Sequence, residues 1–227
     1  MISHAEIVRR SRRHNYEENI WVHPFSGRIA SRFTWVFINL GLHANHVTAL
    51  SFVAGTLSAI FLLFDSFLFA VVAFVFFRLH VILDVSDGEV ARYREQVSRF
   101  GVFWDQLMHA FVLPLLIGCI TIGRLITGAS ISLLSFGIAG MVGKSTDLSV
   151  KNSYYRVLYL SGQKTEDKEP ATTLPNRSNR FKACLGLLFH FISIDGLLCF
   201  YTLSYLIEFS WLGFTARDLV FATYSIL

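Results

Sequence analysis

Between Asp84 and His109 the chain reads DVSDGEVARYREQVSRFGVFWDQLMH, which sets three aspartates, two glycines and Arg92 at helical spacing beside long apolar runs. Steps of three or four residues bring His80, Asp84, Asp87, Gly88 and Ala91 onto one helical face. Gly101, Asp105 and His109 recur at intervals of four and form a second polar stripe on the following helix. An ionised aspartate in the middle of a membrane helix costs roughly 2.5 to 3.5 kcal/mol, so something must offset these carboxylates. A divalent cation is the natural partner, because Mg²⁺ binds through a few carboxylates together with phosphate oxygens. The plainer reading is a set of helix-end aspartates solvated by headgroup water or paired with Arg92 and Arg99. Carboxylates at such a depth are by default functional.

The elements that must hold these stripes are membrane helices. Of the 227 residues, 53% are hydrophobic, 22 are phenylalanine and only 16% are charged, a balance too apolar for a soluble domain of this size. The charges gather in a few segments, as they do in a polytopic bundle. Apolar spans are expected over about 46–64, 67–83, 100–122, 125–142 and 181–207, the last interrupted by Asp195 and Gly196. A span of 19 residues at about 1.5 Å each nearly crosses the hydrocarbon layer of roughly 30 Å. A sixth is expected from TARDLVFATYSIL, with Thr215 as N-cap and Asp218 three residues later. That segment crosses only if residues 209–214 join it or the chain continues. The expected fold is therefore all-α, a bundle of about six transmembrane helices over 46–227, preceded by a cytoplasmic segment over 1–45.

Within that first segment Ile29, Phe33, Val36, Phe37 and Leu40 share a helical face opposite Arg28, Arg32 and Asn39, which suits a helix lying on an anionic membrane surface. No signal peptide is apparent. Lysine and arginine collect before the first span, between the second and third (Arg92, Arg94, Arg99), and around the fourth-to-fifth connection, whereas the opposite turns near Asp65 and 122–128 contribute only Arg124. The inside rule then turns the Asp84–His109 segment toward the cytoplasm. The same rule, with attraction to anionic lipid, accounts for the net charge of +4, and no nucleic-acid motif is present. Cys119, Cys184 and Cys199 lie in apolar runs with no metal-ligand spacing. Residues 145–180, with Pro170 and Pro175, read as a flexible connection.

The motif residues resemble the CDP-alcohol phosphotransferase family, whose pattern is DxxDGxxAR, eight residues, GxxxD and three residues before a last aspartate. Asp84, Asp87, Gly88, Ala91, Arg92, Gly101 and Asp105 match it; His109 stands in place of the fourth aspartate. A weaker match lies upstream in LHANHVTALSFVAG, where Asn45 and Thr48 fit a PNxxT start to the first span and Ala44 replaces the proline. The resemblance covers about residues 28–145. It implies an integral-membrane transferase in which an acceptor hydroxyl attacks the β-phosphorus of a CDP-activated alcohol, expelling CMP. It implies a CDP pocket shaped by Asp87, Gly88, Ala91, Arg92 and Gly101, with Asn45 and Thr48 nearby. It further implies Mg²⁺, or Mn²⁺ in its place, as two ions held by Asp84, Asp87, Asp105 and His109, and a homodimer in a bacterial cytoplasmic membrane. The acceptor is a lipid or small polyol.

Three roles for His109 stay open: general base, nitrogen ligand to a second metal, or packing residue in a site without activity. The family assigns the fourth aspartate to proton abstraction or metal binding, and an imidazole pKa near 6.5 suits a base. His80, one turn before Asp84, either orients that carboxylate or packs in the bundle core. The competing functional classes are a degenerate relative that binds nucleotide or lipid as a membrane partner, and a transporter suggested by Asp195. The latter lacks a paired-repeat pattern.

Overall fold

Apolar side chains at 3.6-residue spacing, broken by short turns, build a helical molecule. The computed structural model describes residues 3–11, 26–96, 99–160, 194–206, 210–211 and 214–226. The helices are α1 (His4–Ser11), α2 (Ser26–Asn39), α3 (Ala44–Leu62), α4 (Phe67–Tyr93), α5 (Arg99–Ile126), α6 (Ser132–Leu160), α7 (Ile194–Ser204) and α8 (Ala216–Ile226). Ahead of α8, two two-residue strands, β1 (Ser210–Trp211) and β2 (Phe214–Thr215), pair antiparallel.

Among the described residues α3, α4 and the segment Phe100–Ile126 of α5 are long and apolar enough to cross a membrane. They match the first three expected spans, but α4 and α5 run on to Tyr93 and Ile126. The motif is thus continuous with the second span: a single helix carries Phe67 and Arg92 alike. The fourth expected span is displaced. Positive φ at Gly128 (90°) turns the chain after α5, and the next helix starts only at Ser132. Helix α6 then continues to Leu160, so the first part of the expected flexible connection is helical. Most of the fifth span, and Cys184, lie outside the described residues; α7 covers its end. Helix α8 has 11 residues, below the length of a crossing.

The first core joins α3, α4, α5, α6, α7 and α8 through Ala59, Phe77, Val112, Ile120, Leu133, Tyr201 and Phe221, among others. A second core unites the N-terminal helices with α3 and α4 around Ile7, Phe37, Ile38, Val47, Leu83 and Val90. Helix α2 presents Ala30, Ser31 and Thr34, all buried, to α4, and these small side chains permit close approach. The expected single apolar face is therefore divided: Phe37 packs inward while Ile29, Val36 and Leu40 stay exposed. Helix α1, which sequence periodicity did not bring out, seats Ile7 in the same core.

At the end of the bundle opposite the motif, Arg124 is sealed inside, its side chain 4% exposed. Its Nη1 donates to Asp65 Oδ2 at 2.7 Å, its Nε to Asp218 Oδ1 at 2.8 Å and its Nη2 to Thr215 Oγ1 at 2.9 Å. Asp218 also accepts the Thr215 backbone N–H at 2.8 Å, the reciprocal cap expected for α8. Asp65 further accepts from Thr127, Tyr201, Tyr205 and Arg217. Close packing makes this corner possible: a Cβ on Gly123 would come within 2.7 Å of the Leu62 carbonyl oxygen.

Burial alone would push the Asp65 carboxyl up, but hydrogen bonds from Thr127 and Tyr205 and the Arg124 charge outweigh it and hold it below the ordinary 3.8. A depressed folded-state value stabilises the fold above the unfolded value and ceases to do so as pH falls through the folded one. The stabilisation from Asp65 is thus complete at neutral pH and decays below about pH 3.9. Thermal melts of detergent-solubilised protein from neutral pH downward should show a gap between wild type and Asp65→Asn that narrows only in that acid range. A gap of constant size would contradict the assignment.

Candidate metal centre

Helices α4 and α5 are joined by a short turn, where Glu95 takes a positive φ of 54°. They do not pack along each other. Helix α3 packs against both, and the two polar stripes meet through their side chains. Gly55 makes this arrangement possible, since a Cβ there would stand 2.7 Å from Val112 Cγ1 and 3.2 Å from His80 Nδ1. His109 Nε2 lies 3.2 Å from Asp84 Oδ1 and 3.6 Å from Asp105 Oδ1. Donor atoms of Asp84, Asp105 and His109 all fall within 4.8 Å of one another.

Two donors that each sit about 2.1 Å from one cation stand roughly 3.0 to 4.2 Å apart, and the separations of 3.2 and 3.6 Å from His109 fall in that range, so the trio could hold a divalent ion. Asp84 Oδ1 is closed off from solvent, with the His109 ring nitrogen as its near neighbour.

Asp87 is set apart from the trio. It is buried, with 7% exposure, and its Oδ2 stands 2.7 Å from Thr48 Oγ1 on α3. Thr48, expected near the nucleotide pocket, thus acts first as the partner of an aspartate. Asn45, one turn earlier on α3, is exposed and makes no hydrogen bond with the motif. Gly88 lies beneath the Arg92 side chain, where a Cβ would meet Nη1 at 3.2 Å. Arg92 donates through Nε to the Ser11 carbonyl at 2.6 Å, so α1 orients its planar head. Ala91 and Gly101 are half-buried on the two helices.

Three contacts escaped the sequence reading. Ser51 Oγ on α3 lies 2.8 Å from His80 Nδ1, fixing the imidazole whose edge meets the His109 ring at a centroid distance of 6.0 Å. His80 is therefore a buried, oriented neighbour of the site, 2% exposed. Glu89 is 1% exposed, and its Oε2 stands 2.6 Å from Thr34 Oγ1. Ser86 Oγ reaches the Ala30 carbonyl at 3.1 Å. Glu89 carried one available signal, an acidic residue inside an apolar helix; Thr34 and Ser51 carried none.

A scaffold of apolar, membrane-length helices thus carries a carboxylate–imidazole cluster whose donor set could hold a metal ion. The family model described as CDP-alcohol phosphatidyltransferase matches residues 41–156. The chain belongs to that family, whose members transfer phospho-alcohol groups from CDP-alcohols to hydroxyl acceptors in membranes and generally depend on divalent metal. No curated protein matches the chain.

Proposed function

We propose that this chain is an active transferase that moves a phosphatidyl or polyol-phosphate group from a CDP-alcohol to an acceptor hydroxyl and releases CMP. The observation that carries this reading is the convergence of Asp84, Asp105 and His109 on one point. Asp84, Asp105 and His109 would hold a divalent cation there, and Asp87, kept in place by Thr48, would help to hold a second one. A bound divalent cation supplies charge neutralisation on the pyrophosphate oxygens as the bond to CMP breaks.

The acceptor oxygen forms the new bond to the β-phosphorus, the bridging P–O bond to CMP breaks, and the hydroxyl proton must go to the protein. Of the three roles open to His109, the proximity of Nε2 to two carboxylates, at 3.2 and 3.6 Å, favours the ligand. Asp105 then takes the proton, its side chain being the most exposed of the trio, at 42%. Arg92, its head set by Ser11, offers a planar fork to a phosphate. Gly88, lying beneath the Arg92 head, leaves that guanidinium close to the helix backbone.

The basic residues beside the motif support a cytoplasmic-facing site, the side on which nucleotide substrates are found. Lys144 and Arg156 on α6 suit a phosphorylated acceptor. Purified protein supplied with candidate CDP-alcohols and acceptors should release CMP in Mg²⁺ or Mn²⁺ and stop when a chelator is added. Turnover that persists after chelation would rule out the metal mechanism. Absence of CMP release from wild type, with gain of release in His109→Asp, would favour a degenerate binding relative instead.

A further inference from the structure

We infer that the Asp84–Asp105–His109 subsite is selective for a transition-series divalent ion of the Mn²⁺–Co²⁺–Zn²⁺ group over Mg²⁺, and that His109 sets this preference. The inference rests on the transfer reading only in taking the trio as a metal site. Its basis is the donor set: two carboxylate oxygens and one imidazole nitrogen meet within 4.8 Å. Where the family pattern places a fourth aspartate, the subsite would be entirely oxygen, the set that suits Mg²⁺. An imidazole suits the softer first-row ions, whose affinity for nitrogen rises along the series toward zinc, whereas Mg²⁺ gives up its water reluctantly and gains little from nitrogen.

The surroundings of His109 support ligation. Its Nε2 is the atom that approaches both Asp84 and Asp105, at 3.2 and 3.6 Å. The buried His80 ring, itself secured by Ser51, stands edge-on to His109 and limits how far that ring can swing. With a carboxylate from α4 and two donors from α5, the ion would also bridge helices that otherwise scarcely touch. Asp87, kept by Thr48, lies beside the subsite without changing its nitrogen content.

The test is equilibrium binding of metals to purified, chelator-stripped full-length protein, with free Mn²⁺ followed by electron paramagnetic resonance and Zn²⁺, Co²⁺ and Mg²⁺ as competitors. Wild type should prefer Mn²⁺, Co²⁺ and Zn²⁺ over Mg²⁺, and His109→Asp should shift the ratio toward Mg²⁺ by at least ~10-fold, about the lower bound seen for altered metal surroundings. Should that variant fail to fold, spin-echo modulation from an imidazole nitrogen on Mn²⁺ bound to wild type gives the same answer. Equal ratios in the two proteins, or Mn²⁺ bound without nitrogen coupling, would overturn the inference even if CMP release proved metal-dependent. Nitrogen-coupled, His109-dependent binding without CMP release would uphold it and instead refute the transferase reading. Protein that binds no divalent ion would refute both.

Discussion

Replacing Asp84 by asparagine is expected to lower metal-supported CMP release by about 10²- to 10³-fold in kcat, the scale for losing one preorganised electrostatic group at a reacting centre, with only a small change in the thermal midpoint of metal-free protein. The substitution retains shape and removes a charge. Asp84 Oδ1 is closed off from solvent, His109 Nε2 stands 3.2 Å from it, and Asp87 and Asp105 are its acidic neighbours. Loss of one negative charge relieves repulsion from those acids and gives up the pairing with His109, so opposing effects keep the change in stability small while function is lost. A residue needed only for packing would show the opposite pattern, with activity falling in step with stability. Rates of CMP release at saturating metal, set beside melting curves in chelator, separate the two. Unchanged kcat in Asp84→Asn would remove this aspartate from the site.

Arg124→Ala should destabilise the protein by about 3 to 5 kcal/mol, the usual cost of stranding a buried charge by removing its partner. Arg124 is 4% exposed on its side chain, and the carboxylates it serves, Asp65 and Asp218, are 2% and 1% exposed. Without the guanidinium, Asp218 retains only local donors from Thr215, and Asp65 leans on Arg217 and its hydroxyl neighbours. Arg124→Lys should recover part of the loss, because an ammonium restores charge but cannot address Asp65, Asp218 and Thr215 in one plane. The expected consequence is release of α8 from the bundle, measured as early proteolysis near residue 216 and a lower melting temperature. A variant as stable as wild type would show that the buried network is energetically idle.

The metal trio was legible because its members lie in a single 26-residue window, where helical periodicity links spacing to facing. Periodicity cannot supply the distance between two helices. That distance is set through α3, which packs against both α4 and α5. The same limit hid the second partner of each buried polar group. Thr34 with Glu89 and Ser51 with His80 are separated by 55 and 29 residues, and no local pattern links them. Arg124 read as a lone basic residue on the outer side because its acidic partners lie 59 and 94 residues away in the chain.

Hydropathy and spacing by themselves determined the all-helical class, the first three spans and the reciprocal cap of Thr215 and Asp218, since each depends on interactions within a few turns of one helix. Only the tertiary structure decided that Asp87 turns to Thr48 while Asp84, Asp105 and His109 converge, that α1 reaches Arg92, and that the outer charges are buried together. Those outcomes arise from small residues such as Gly55 and Gly123, which let distant helices approach. Their effect lies in where the backbones come to rest, a property of the packed bundle that a linear pattern does not contain.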